Sequence, residues 1–286
     1  MEYTLENEYL QITVTEWGAQ LKSVLCKADG TQRMWQADPA VWGYHAPILF
    51  PHAGKTCDNR ICVKGGEFAS KQHGFAREME HPFLDRTADT LRFAIESNDF
   101  TLSRWPYRFR LISSFRLEKD TVHHTLTVEN LDDCPLPYGI GYHPAFAMEK
   151  GGEYVLRFSE MESPLCVSCL PHGLVTDRLY SLGSNLTEIP VDAQLFANDS
   201  HCMLNLRSKT LGLYEKNTGR AVICDISQFP YTLLWSKPGE PHFVCIEPWM
   251  SLPSPEGGSA DWNEKPAAYI LQPGESQSTT LSMRFV

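Results

Sequence analysis

An all-β chain, folded as one large antiparallel sandwich, is what this sequence predicts. Three observations lead there. Apolar and polar residues alternate in many short segments, which is the strand signal. Turn chemistry punctuates those segments. The 19 glycines and 19 prolines are spread along the chain and break most helical windows, and no long segment carries a helical period. The length, 286 residues, is about twice a typical domain of ~150 residues, yet large β sandwiches reach it as one unit. No composition shift or linker divides the chain, so residues 1–286 are read as a single domain. No repeat at a fixed period is present, which argues against a propeller.

The elements follow in order. Leu10 to Val14 (LQITV), Leu91 to Glu96 (LRFAIE), Phe109 to Leu117 (FRLISSFRL), Thr121 to Glu129 (TVHHTLTVE) and Thr279 to Phe285 (TTLSMRF) alternate as half-buried strands. Ala28-Asp29-Gly30, Glu118-Lys119-Asp120 and Asn217-Thr218-Gly219 supply turns. Pro230 to Trp235 and Phe243 to Ile246 are apolar on both faces and read as buried strands. Short helical turns are expected near Asp38 to Trp42 and in Leu195 to Asp199. Ser251 to Pro266 (SLPSPEGGSADWNEKP) reads as a loop beside a site or surface, not as a domain boundary.

Composition excludes several classes. The apolar fraction is 42% and the charged fraction 21%, ordinary globular usage that leaves disorder, collagen and coiled coil behind. A net charge of −10 repels phosphate backbones and anionic membranes, so neither nucleic acid nor a membrane is an expected partner. No run approaches the ~18 apolar residues of a bilayer span. The opening MEYTLENEYL has three acids and no apolar run, unlike a secretory signal, so a cytoplasmic protein is expected. The nine cysteines are scattered and odd in number, which fits reduced thiols. Cys166 and Cys169 form a CxxC without a second pair at zinc spacing, and Cys57 and Cys62 do not complete one.

The chain has no phosphate-cradling glycine loop, no GxSxG elbow and no HExxH. Three segments instead place ionisable groups among aromatics, glycines and prolines: Gln72-His73-Gly74-Phe75-Ala76-Arg77, Tyr138 to Phe146 (YGIGYHPAF) and Cys245-Ile246-Glu247-Pro248-Trp249. Glu247 ends a strongly apolar strand, where partial desolvation raises a carboxyl's pKa and makes it a better base. His143 precedes a proline, which holds its backbone extended, and histidine is the natural proton donor near neutral pH. Read from the residues alone, each also fits a structural role: a hydrogen-bonded histidine, a glutamate capping a strand, aromatics filling a core.

Together the three segments resemble the aldose 1-epimerase (galactose mutarotase) family, in particular its shorter LacX-like branch. The likeness runs the length of the chain. Trp17-Gly18-Ala19-Gln20-Leu21 is similar to the family's opening motif, and Pro47-Ile48-Leu49-Phe50-Pro51 with Gly54 to a motif of that branch. His73-Gly74-Phe75-Ala76-Arg77, Gly141 to Phe146 and Ile246-Glu247-Pro248-Trp249 follow in the family's order and spacing. The resemblance implies a large antiparallel β supersandwich with a sugar cleft. It implies that His143 is the general acid and Glu247 the general base, with His73 as a second histidine near the ring oxygen or C1. Gly54 to Ile61 (GKTCDNRI) looks like the family's GRxANRI, with Lys55 in place of the first arginine, and so points to Asn59 and Arg60 as sugar contacts. By position, Asp199 matches the family's sugar-binding aspartate, and Arg77 and Trp249 complete the expected contacts.

The implied reaction is anomer interconversion of an aldohexose by ring opening and reclosure, which needs an acid and a base but neither metal nor cofactor. The expected partner is a small sugar, and the expected assembly a monomer or homodimer. Two other readings share the fold: a hexose-6-phosphate 1-epimerase, for which Arg77, Arg60 or Lys55 would meet the phosphate, and a non-catalytic carbohydrate-binding protein. A glycoside hydrolase or lyase would usually need two catalytic carboxylates, and only Glu247 has a motif around it.

Overall fold

A computed structural model describes residues 1–239, 241–265 and 268–286. Two large antiparallel sheets dominate it. The first has nine strands in the order Leu186–Val191, Tyr154–Glu162, Thr210–Glu215, Ala221–Asp225, Ser276–Phe285, Thr121–Asn130, Phe109–Glu118, Thr90–Glu96 and Phe83–Arg86. The second runs Leu179–Ser181, Leu165–Val167, His201–Leu204, Tyr231–Trp235, Phe243–Trp249, Gly141–Tyr142 and Ile48–Leu49, with Ala145–Ala147 also pairing with Phe243–Trp249. A four-stranded sheet from Glu2–Glu6 to Thr31–Gln32 adds to these.

The alternating segments became strands because alternation gives each a core face. Phe109–Glu118 buries Phe109, Leu111, Ser113, Phe115 and Leu117 while the residues between them are half-covered. Its partner Thr121–Asn130 lies in register with it, from Glu118↔Thr121 to Phe109↔Asn130. The two-residue turn between them works because Lys119 takes a left-handed φ of 53°. The core lies between the two large sheets: Met203, Leu234, Val244 and Ile246 from one share an apolar cluster with Phe115, Leu126, Leu281 and Met283 from the other. Tyr142 ties the layers by donating its hydroxyl to the carbonyls of Thr279 (2.7 Å) and His124 (2.9 Å).

Phe243–Trp249 is buried at every position, as its doubly apolar sequence requires. Val244 and Ile246 face the main core. On its other face, Phe243 and Cys245 join a small cluster with Trp35, Trp42 and Trp235, and Trp249 joins another with Leu49, Val167 and Leu233. Glu247 falls on that face, between the two patches.

The turn near Asp38 is present, with the Trp42 amide donating to the Asp38 carbonyl at 2.8 Å. Leu195 to Asp199 is a series of turns, not helix. A short helix at Asp99–Leu102 is an element that alternation does not announce; its local signal is the capping box of Asn98 and Thr101. Ser251 onward is largely loop, with a short 3-10 turn at Trp262–Glu264; Pro266, the last residue of the expected loop, lies outside the described residues. No helix among the described residues is long and apolar enough to cross a membrane.

Candidate active site

The second sheet carries a cleft of about 440 Å³, within the roughly 300–1,000 Å³ usual for small-molecule sites. Its wall includes His73, His143, Asp199, Glu247, Arg77 and Trp249, residues drawn from distant parts of the chain.

Glu247 sits mid-sheet, opposite Leu233, and is only 2% exposed. Burial drives its carboxyl well above the ordinary carboxylate range, and the neighbouring Asp199 charge adds to this. His143 stands between Gly141–Tyr142 and Ala145–Ala147, held where Pro144 keeps the backbone extended. Its Nε2 lies 3.3 Å from Glu247 Oε2. Its ring stacks on Trp42 at a centroid distance of 5.0 Å, and its buried Nδ1 has no partner among the described residues. Burial, then the Arg77 charge, depresses His143 to about 3. The low-dielectric surroundings thus act on both groups toward their neutral forms, and the pair holds one proton between them.

His73 occupies a strained place, with φ of 68° in a non-glycine residue. Gly74 follows with φ of 70°; a Cβ there would lie 2.2 Å from the Phe50 carbonyl oxygen, so no larger residue fits. The Gly54 amide donates to His73 Nδ1 at 3.0 Å, and the His73 amide donates back to the Gly54 carbonyl at 2.8 Å. The ring meets His143 and Trp249 edge-on, each at 5.6 Å. Burial and the His143 and Arg77 charges hold His73 well below the usual histidine value.

Asp199 also takes a left-handed φ, 72°, and its Oδ1 accepts from Trp235 Nε1 at 2.6 Å. Arg77 lies over the Tyr44 ring at 5.0 Å and donates to the Gln72 carbonyl at 3.0 Å, while its Nε is buried without a partner among the described residues.

Six of the eight residues singled out from the sequence therefore meet in one cleft. Asn59 and Arg60 do not line it. Asp58 and Asn59 both adopt positive φ, 51° and 55°, and both are exposed. There Arg60 is exposed and is held by Asp58 (3.0 Å) and Glu67 (3.0 Å). The cleft wall also includes Trp42, Tyr44, Gln72, Ser200, Leu233 and Trp235, which sequence reasoning did not select. Gln72 adjoins His73 in a flagged segment, but nothing local separates Trp42 or Trp235 from core aromatics. A cation would find one donor atom each from His143, Cys245 and Glu247, all within 4.8 Å of one another, although burial keeps the Cys245 thiol strongly protonated.

A large β sandwich whose sheet face holds a buried His–Glu pair within an aromatic-walled polar cleft is a mutarotase-like protein. The chain matches the aldose 1-epimerase family over residues 1–284 and belongs to that family. It is 33% identical to the plasmid-encoded protein LacX of Lactococcus lactis subsp. lactis over 266 residues, 88% of each chain. A galactose mutarotase related enzyme from Lactobacillus acidophilus has the same fold, with a TM-score of 0.94 at 25% identity, over 100% of this chain and 97% of that one. A galactose mutarotase-like protein from Lactobacillus casei ATCC 334 matches at a TM-score of 0.94 and 26% identity, over 100% of both chains. The resemblance and the fold class read from the sequence are thereby confirmed.

Proposed function

We propose that the protein interconverts the α and β anomers of a free aldohexose. In the reactive arrangement the one proton the pair shares sits on His143, so Glu247, as the carboxylate, takes the proton from the C1 hydroxyl as His143 gives one to the ring oxygen. The C1–O5 bond breaks, leaving an aldehyde at C1 and a hydroxyl at C5. Rotation about C1–C2 and the reverse transfers close the other anomer and return both protons. His73 donates from Nε2, and Asp199, Arg77 and Gln72 orient the hydroxyls against Trp249.

The observation that carries this reading is the 3.3 Å contact between His143 Nε2 and Glu247 Oε2, deep in the cleft. A group able to hold a proton and one able to release it, with one proton between them, form the inventory that a hemiacetal exchange needs. A module that only bound sugar would have no use for it. The wall favours a neutral sugar over a 6-phosphate: it sets the acidic side chain of Asp199 against the single guanidinium of Arg77, and neither Lys55 nor Arg60 lines it among the described residues.

Polarimetry of fresh α-anomers across aldoses and their 6-phosphates tests this. The wild type should accelerate at least one free aldose, and should leave a methyl glycoside, which has no anomeric hydroxyl, untouched. His143→Asn should slow the reaction by ~10²-fold or more with the fold retained. Near wild-type rates in that variant would move the acid role elsewhere, with His73 the first to test.

A further inference from the structure

His52 lies outside the cleft wall, is fully buried, and belongs to none of the motifs that point to the active site. It borders a second cavity, of about 400 Å³, together with Ser70, Phe75 and Trp17. Its two nitrogens are both engaged. Nδ1 lies 3.1 Å from the Gly54 carbonyl oxygen, which can only accept, so Nδ1 carries the proton. Nε2 lies 2.8 Å from Ser70 Oγ, and in the neutral ring it accepts from that hydroxyl.

The same Gly54 residue is hydrogen-bonded to His73, which lines the cleft. Its carbonyl also accepts from the His73 amide at 2.8 Å, and its own amide donates to His73 Nδ1 at 3.0 Å. A ring nitrogen that accepts an N–H bears no proton, so neutral His73 must carry its proton on Nε2. Nε2 has no hydrogen-bond partner among the described residues, which leaves it as a donor toward the cleft. Gly54 can serve both sides only in its left-handed conformation, φ 72°, against Pro253, where a Cβ would come within 2.3 Å of the proline ring.

We infer that His52, supported by Ser70, is a positioning residue: it clasps the Gly54 carbonyl so that the Gly54 amide fixes His73 as the Nε2–H tautomer facing the substrate. Two histidines in opposite tautomers are thus joined through one glycine. This rests on the proposed mutarotase reading for its effect on rate, but the tautomers themselves do not depend on it.

The test uses the full-length protein with ¹⁵N-labelled histidine. Two-bond ¹H–¹⁵N correlation spectra near neutral pH should show His73 protonated at Nε2 and His52 at Nδ1. In His52→Phe, which cannot donate to Gly54, His73 should become a tautomer mixture and kcat should fall about tenfold or more, with KM changing less. In His52→Asn the amide can donate from near the Nδ1 position, so the His73 pattern and most of kcat should return. Ser70→Ala, at a half-buried position, should give an intermediate loss. An unchanged His73 pattern in both His52→Phe and Ser70→Ala overturns the inference, as does a wild-type His73 protonated on Nδ1. So does an Asn variant no better than Phe in both tautomer and rate. If the tautomers are as expected but the wild type turns over no aldose, the functional reading fails and the clasp stands.

Discussion

At the scale of single residues, the cleft works by burying groups that water would otherwise hold in their ordinary states. Glu247→Gln keeps the size of the side chain and removes its ability to take a proton. Its loss should appear in kcat, by ~10²-fold or more, with far less change in sugar affinity by calorimetry. A variant that binds and turns over sugar as well as the wild type would remove Glu247 from the mechanism. Asp199 depends on a neighbour: Trp235 Nε1 donates to its carboxylate at 2.6 Å. A hydrogen bond to a charged group contributes ~1.5–3 kcal/mol, so Trp235→Phe should raise KM by about tenfold while kcat falls less. If KM does not move, Asp199 does not need that anchor to hold the sugar. His73, His143 and Glu247 were conspicuous in their Gly-, Pro- and aromatic-rich contexts, while the roles proposed for them come from the family resemblance. Trp42 and Trp235 were not, because an aromatic that walls a cleft has the same local sequence as one that fills a core.

At the scale of elements, the site depends on two kinds of segment. Phe243–Trp249 supplies rigidity, since it is hydrogen-bonded on both edges and covered on both faces. The His73-Gly74 turn supplies strain, with two consecutive residues at positive φ pressed against the Phe50 carbonyl. Gly74→Ala places a methyl where backbone already lies and should cost about 2 kcal/mol or more. A lower midpoint of thermal unfolding and a matching loss of mutarotation are expected; an unchanged midpoint would show that the turn relaxes freely. The strands themselves were readable from alternation, as Phe109–Glu118 and Thr121–Asn130 show. The Asn59-Arg60 stretch was not. Its likeness to a family motif placed it at the sugar, while local φ values and the Asp58 and Glu67 carboxylates hold Arg60 in solvent.

At the scale of the whole molecule, buried histidines set the acid limit. His52 and His124 are depressed to about 3 and His81 to about 4, all by burial. In the unfolded chain each titrates near 6.5, so between that value and its folded one the unfolded state binds more protons. Stability is therefore full above ~pH 6.5 and falls as pH drops, by up to ~1.4 kcal/mol per unit for each histidine. His143, also depressed to about 3, adds to this, and Glu247, raised by burial, opposes it in part. The unfolding midpoint should drop steeply as pH falls from about pH 6 to pH 4. A midpoint constant down to pH 4.5 would contradict the burial of these rings. Catalysis by the His–Glu pair alone also predicts that activity survives chelators and reducing agents. Loss on chelation, restored by a divalent cation, would instead assign the His143, Cys245 and Glu247 donors to a metal.

Strand identity and the three motif segments were matters of local pattern. Alternation, turn residues and an ionisable group at the end of an apolar run are properties of neighbouring residues, and they survive in any fold that buries one face of each strand. The cleft is a property of distant ones. His73, His143, Asp199 and Glu247 meet only because the second sheet orders its strands out of sequence and carries a loop past its face. The protonation of His73 depends on a glycine amide 19 residues away, and that of Glu247 on how completely two sheets and their aromatics exclude water. Electrostatics and hydrogen bonding act through space, so these quantities came into existence only when the chain closed on itself.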